Sequence, residues 1–269
     1  MILHEAKNFT WYSFALFDTC PGVATFVTTR GEAVAGDTYS SLNMGLHNGD
    51  DPSRVEANRK RLCDALGIER LITPRQTHGT DILPVTPRFL SLDAAAQTVC
   101  LDGKDAVMTD CPGVAIAVST ADCVPLLLYD DVHRACAAVH AGWRGMAAHI
   151  VRLTVEAMVS CYATAPASLR VAVGPSIGPG CFEVGDEVVR AFVAAGFDEA
   201  AVVRRYPSAR PHIDLWAAAV EELSLCGVDL SHIEVAGVCT QSHSDEFFSA
   251  RASGIRSGRF LTGIYLTDI

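Results

Sequence analysis

The sequence predicts an α+β fold: a single domain spanning residues 1–269, with mixed β-sheets flanked by helices. Three observations predict it. Strand-sized apolar runs and helix-period segments alternate irregularly rather than as a regular βαβ series. One β-hairpin is plain between residues 123 and 140. No Pro/Gly/Ser-rich linker divides the 269 residues, 49% of them hydrophobic, into two core-forming halves.

The elements follow in chain order. Residues 25–29 read as a short strand, followed by a polar, Gly-containing loop from Arg30 to Ser41. Pro52–Leu66 is the first clear helix: Asp51 suits its N-cap, Pro52 its first position and Gly67 its stop. Strands over 71–76 and 80–85 flank the elbow Gln76-Thr77-His78-Gly79, and further strands cover 105–109 and 114–120. Residues 146–162 form a long helix by apolar periodicity. A strand over 169–173 runs into the Gly/Pro-rich loop 174–180, and helices over 186–195 and 215–226 precede a strand over 233–238.

Composition removes several function classes. A net charge of −10 and a pI near 5.3 oppose general nucleic-acid binding, although a local basic pocket for a small anion stays open. The start MILHEAKNFT has no basic region followed by an apolar stretch, and no apolar run reaches the ~18 residues of a membrane helix. The expectation is a cytoplasmic protein without a membrane partner. Ten scattered cysteines without a CxxC pair are then expected to be reduced, most of them as small buried hydrophobes.

The hairpin carries the chemistry. Cys123–Tyr129 is one strand, Asp130–His133 the turn, and Arg134–His140 the return. With Asp131 and Val132 as the central turn residues, Cys123 faces His140 directly, with Cβ atoms roughly 4.5–5.5 Å apart. A thiolate and an imidazole at that separation can share one zinc. His78, in an elbow that Gly79 keeps tight, is the third candidate ligand. Two His and one Cys leave a fourth tetrahedral position open, as a catalytic zinc does. A metal-free Cys123–His140 nucleophile pair competes with this reading. So does the bland one, in which Cys123 is a core residue and His140 a solvated strand cap.

The pattern resembles the YfiH-type family, also called the laccase-domain or multicopper polyphenol oxidase family. The resemblance covers nearly the full chain. It rests on Thr28-Thr29-Arg30, Ser41-Leu42-Asn43-Met44-Gly45, Gly49-Asp50-Asp51 with Asn58-Arg59, Gln76-Thr77-His78-Gly79 and Asp105-Ala106. Thr120-Ala121-Asp122-Cys123-Val124-Pro125 and Val139-His140-Ala141-Gly142-Trp143-Arg144-Gly145 are its most specific parts. The Gly174–Gly178 loop, Cys181-Phe182-Glu183-Val184, Cys239-Thr240 and Phe247-Phe248-Ser249 complete it. The chain departs from the family pattern at Gly31-Glu32-Ala33, at Gly180 and at Ala250-Arg251, none of them a ligand position.

The resemblance implies metal ligands at His78, Cys123 and His140, and phosphorolysis of adenosine, inosine and 5′-methylthioadenosine with adenosine deamination alongside. The implied partners are a purine nucleoside and phosphate, with the chain a monomer or weak homodimer. Phosphorolysis needs a cationic anchor, for which the planar fork of arginine is suited. Arg30 and Arg144 lie in the motif loops, with Arg59 and Arg75 as further candidates. Deamination needs an activated water, which zinc supplies by lowering the pKa of bound water to about 7. Asp122 is the nearest carboxylate to move the proton, unless it only supports the ligands. Asn43 and Gln76 are candidates for ribose or base, Trp143 for walling the purine, and Cys181 for a place near the cleft. Copper in place of zinc suits the same donors, and with it a polyphenol oxidase reading, but three ligands are too few for a multicopper cluster. A Cys/His hydrolase editing peptidoglycan precursors, and a metal-binding protein without turnover, remain as other classes.

Overall fold

The computed structural model describes residues 1–269 except Ala35, Ser208, Asp268 and Ile269. Ala35 belongs to the expected 30–41 loop and so lies outside the described residues. Two six-stranded sheets stack face to face. The first runs, edge to edge, through Ile2–Ala6, Phe9–Ser13, Val23–Thr28, Phe260–Leu266, Val114–Thr120 and Arg70–Ile72. The second runs through Ile233–Val235, Arg170–Val173, Val124–Asp130, Ala135–Ala141, Ala106–Thr109 and Ile82–Pro84. Both sheets mix parallel and antiparallel pairs.

Strand alternation builds the layers. Leu127, Tyr129, Cys136 and Ala138 of the second sheet meet Val27, Ile116, Val118 and Phe260 of the first in one buried cluster. Their neighbours Leu126, Leu128, Ala137 and Val139 point the other way, onto the helices Ile150–Tyr162, Asp186–Ala194 and Leu215–Leu225. Both faces of this hairpin are therefore buried, and it reads as an unbroken apolar run. The outer face of the first sheet, with Phe26, Ala115 and Ala117, is covered by Leu62 of the Pro52–Leu66 helix. That helix has the expected ends: the Asp51 side chain accepts from the Ser53 N–H, and Gly67 is left-handed with φ 68°.

Four expectations need correction. Pro125, not Cys123, faces His140, because four residues separate the paired Asp130 and Ala135. The Asp130 carboxylate folds that loop by accepting from the Val132 and His133 N–H groups, and Arg134 takes a left-handed φ of 50°. A slip of two residues preserves the face, so His140 still shares the inner face with Ala138. Second, the expected 146–162 helix is two: Trp143–Ala147 and Ile150–Tyr162, parted by left-handed His149 with φ 64°. Third, three strands of the first sheet escape the pattern reading. The Ile2–Ala6/Phe9–Ser13 hairpin turns on Lys7 and Asn8, both at positive φ, rather than on a Gly-bearing pair. Phe260–Leu266 contains Gly263, which looks like a strand breaker. A Cβ there would lie 2.2 Å from Phe26 Cζ, so glycine is what lets that ring pack on the strand. Fourth, of the ten cysteines, expected to be mostly buried, only Cys20, Cys111 and Cys136 are; six are half-buried, Cys161 is exposed, and all ten are free.

Candidate metal centre

The strands 106–109, 114–120, 124–130, 135–141 and 260–266 start or stop at one end of the sandwich, and the loops there build the site. His78 comes from the elbow after Arg70–Ile72, at φ 63°. Cys123 comes from the loop before Val124, behind Asp122 at φ 93°. Left-handed backbone at non-glycine residues is held only where surroundings over-determine it, and here it flanks two of the three side chains. His140 ends its strand. The donor atoms of His78, Cys123 and His140 all lie within 4.8 Å of one another, the one such group of three among the described residues. Cys123 Sγ is 3.8 Å from His78 Nε2, against about 3.6 Å for the S–N edge of a tetrahedral zinc site.

Asp105 organises the group. Its carboxylate, fully buried, accepts from His140 Nδ1 at 2.7 Å and from the N–H groups of His78 at 3.0 Å and Gly79 at 2.7 Å. One carboxylate therefore fixes the histidine ring, leaves His140 Nε2 for a metal, and shapes the elbow that carries His78. Burial alone would raise the Asp105 carboxyl, but hydrogen bonding and charge from His140, with the Gly79 and Thr77 N–H groups, outweigh it and hold it below the usual range. Burial likewise opposes the Cys123 thiolate. The charge of His140 and hydrogen bonds from both histidines prevail and bring that thiol down to about 6. Gly142 also controls the spacing of the ligands. A Cβ on it would sit 2.7 Å from His78 Cδ2 and 3.2 Å from Cys123 Sγ, so the ligands close up over a residue without a side chain.

These side chains sit in a cleft of about 760 Å³, within the usual range for small-molecule sites. Arg59, Arg75, Arg251, Arg256 and Arg259 line it, against one acidic residue, Asp122.

A sequence model of the family described as multi-copper polyphenol oxidoreductase laccase matches residues 24–267. The chain belongs to that family. It is 41% identical over 247 residues to a purine nucleoside phosphorylase of Bacteroides thetaiotaomicron, covering 91% of this chain and 92% of that protein. It is 42% identical over 247 residues to adenosine deaminase RL5 from an unknown prokaryotic organism, covering 91% and 94%. The crystal structure of YlmD from Geobacillus stearothermophilus superposes with a TM-score of 0.88 at 33% identity, over 99% of both chains.

Against this laccase-family frame, the remaining sequence candidates sort by what their side chains already hold. Arg30 gives its guanidinium to Ser40 Oγ and the Ser244 carbonyl and lies over Phe248, away from the cleft lining. Arg144 is exposed, its guanidinium 4.3 Å above the Trp143 ring, and also off the lining. Neither is placed to anchor an anion in the cleft. Asn43, fully buried, donates to Asp50 and accepts from the Gly45 and Arg259 N–H groups, so its amide is spent on its own loop. Gln76 lines the cleft, but its amide is locked to Ser119 through Nε2 and Oε1. Asp122 also lines it, with Oδ1 accepting from Thr240 Oγ1 and Oδ2 from the Arg251 N–H, both at 2.7 Å. It ties the Cys123 loop to the C-terminal segment. Cys181 meets Ser242 Oγ at 3.4 Å and stands outside the lining. Sequence reasoning missed the roles of Asp105, Gly142 and Arg259, and left Arg59 among the alternatives. A single acidic residue opening an apolar strand was the available signal for Asp105.

Proposed function

We propose that this chain is a zinc-dependent purine nucleoside phosphorylase acting on adenosine, inosine and 5′-methylthioadenosine, with adenosine deamination as a second activity at the same site. The observation that carries the reading is the convergence of His78, Cys123 and His140 within a cleft where five arginines outnumber one carboxylate. Relatives named for nucleoside phosphorolysis and adenosine deamination, matched over about nine-tenths of this chain, support the substrate class.

The donor set fits zinc: one thiol drawn toward thiolate and two imidazoles, one of them already held by a carboxylate at its far nitrogen. Bound there, zinc supplies Lewis-acid polarisation of a substrate oxygen or an activated water. The chain's own residues do the rest. In phosphorolysis a phosphate oxygen forms a bond to C1′ as the C1′–N9 bond breaks. The departing electron pair goes to the purine, which takes up a proton. Cleft arginines offset the charge of the phosphate, and desolvation within the cleft strengthens that attraction. Asp122 acts as a positioning residue, since its two oxygens tie the Cys123 loop to Thr240 and Arg251 of the C-terminal segment.

The test is conversion of adenosine by zinc-loaded protein, with and without phosphate, beside Cys123→Ala. Phosphate-dependent adenine release, reduced at least ~100-fold in the variant, supports phosphorolysis at this centre. Inosine formed without phosphate supports the deaminase activity. No conversion in protein carrying one zinc per chain sinks the nucleoside reading and redirects the search to a Cys/His hydrolase. Metal analysis of protein purified without added metal decides between zinc and copper.

A further inference from the structure

Arg59 and Arg259 approach the cleft from different parts of the chain, one from the Pro52–Leu66 helix and one from the residue before the Phe260–Leu266 strand. Both touch the Met44-Gly45 segment, Arg59 with its guanidinium and Arg259 with its backbone carbonyl and side-chain stem. Arg59 Nη1 donates to the Met44 carbonyl at 2.9 Å, and the Met44 N–H donates to the Arg259 carbonyl at 2.9 Å. A Cβ on Gly45 would lie 2.9 Å from Arg259 Cγ, so the glycine leaves room for that side chain against the loop.

The donor accounts of the two residues are incomplete. An arginine has five N–H donors. Arg59 uses one on Met44 and one on Thr73 Oγ1, leaving three. Arg259 turns Nη1 to the Ser257 and Gly258 carbonyls and Nη2 to the Ile255 carbonyl, leaving its Nε–H and one further hydrogen. Among the described residues neither has a carboxylate within ion-pair distance, whereas Arg75, which also lines the cleft, is paired with Asp102 at 2.6 Å. Both are half-buried, and loss of hydration pulls both below the ordinary arginine value, Arg59 to about 10. His47, also on the lining, is held toward its neutral form by burial and by the charges of Arg75 and Arg59. A half-buried cation with free donors and no counter-charge is costly unless an anion completes it.

We propose that Arg59 and Arg259 form an anion subsite on the Met44-Gly45 wall of the cleft, and that its ligand is free inorganic phosphate. This rests on the phosphorolysis reading for its role but not for its existence. The phosphoryl group of a nucleotide offers the same chemistry, and the experiment separates the two sources.

Zinc-loaded protein is titrated calorimetrically with orthophosphate and, separately, with adenosine 5′-monophosphate, as wild type, Arg59→Gln and Arg259→Gln. Thermal midpoint and zinc content check folding. Orthophosphate binding by wild type that weakens roughly tenfold or more in each variant is the expected result. If one Gln variant does not fold, its Lys counterpart keeps the charge but loses the planar fork, and weaker phosphate binding is still expected. Variants that bind orthophosphate like wild type overturn the proposal. So does a wild type that binds the nucleotide but not orthophosphate. Phosphate-dependent adenine release with an unchanged KM for phosphate in both variants overturns the subsite while leaving the phosphorylase reading intact. Phosphate binding that depends on both arginines in a protein inert toward nucleosides does the reverse.

Discussion

The two ends of the central hairpin repeat one device and put it to different use. At the turn, the fully buried Asp130 carboxylate accepts from the Val132 and His133 N–H groups and from His133 Nδ1 at 2.8 Å. At the cleft, the fully buried Asp105 carboxylate accepts from the His78 and Gly79 N–H groups and from His140 Nδ1 at 2.7 Å. Each aspartate thus folds a loop and orients one histidine. The outcomes diverge in what the second ring nitrogen meets. His133 belongs to a surface turn, whereas the His140 ring lies 4.9 Å, edge to face, from that of His78, with Cys123 beside both. An aspartate–histidine contact is therefore a structural part; a site arises only where the histidine's free nitrogen is aimed at other donors.

Three substitutions sharpen or break that comparison. Asp105→Asn should do most. An amide cannot accept from His140 Nδ1 and two N–H groups on equal terms, so zinc affinity should fall roughly 10- to 100-fold. Competition against a chelator of known affinity measures it. Unchanged zinc affinity would mean that the two aspartates are equivalent after all. Gly142→Ala should come next: the added methyl would crowd His78 Cδ2 and Cys123 Sγ, lowering zinc affinity with little change in unfolding free energy. A variant that keeps wild-type zinc affinity would show that the ligands have slack.

Asp130→Asn should leave zinc affinity alone and cost about 1–3 kcal/mol of stability, read from denaturant melts at pH 7. Its pH dependence gives a second check. Burial works to raise Asp130, but hydrogen bonds from His133 and the turn N–H groups outweigh it and hold the carboxyl below its ordinary value. The native state therefore favours the charged form. That stabilisation is complete above the unfolded pKa of about 3.9 and is lost as pH falls through the lower folded value. Wild type should lose stability more steeply than the variant below about pH 4. Parallel pH curves would remove Asp130 from the account.

Much of the fold was legible because its signals are local. Asp51, Pro52 and Gly67 bracket the first helix, and the Val114–Thr120 strand stands within one apolar run. The turn was not legible at residue precision. Asp-Asp-Val-His admits several loop lengths, and the choice fell to the Asp130 carboxylate and to Arg134 in the left-handed region. Gly263 hid a central strand, since a glycine that admits the Phe26 ring and one that breaks a strand are the same letter. At the site, the three candidate ligands were reachable from the hairpin and the elbow. The arginines were reached only in part: Arg59 and Arg75 stood among the candidates and line the cleft, Arg30 and Arg144 do not, and Arg259 was not foreseen.

The sequence by itself determined the element types, the buried hairpin and the donor chemistry of His78, Cys123 and His140, because backbone preference and side-chain reactivity belong to the residues. Only the tertiary structure decided which polar groups are left over. Asn43, Gln76, Arg30 and Arg144 spend their donors on neighbours or face away, Asp105 becomes the hub of the centre, and Arg59 and Arg259 keep donors free in the cleft. A hydrogen bond can be made once, and what remains for a ligand depends on contacts between residues as much as 216 positions apart, as with Asn43 and Arg259.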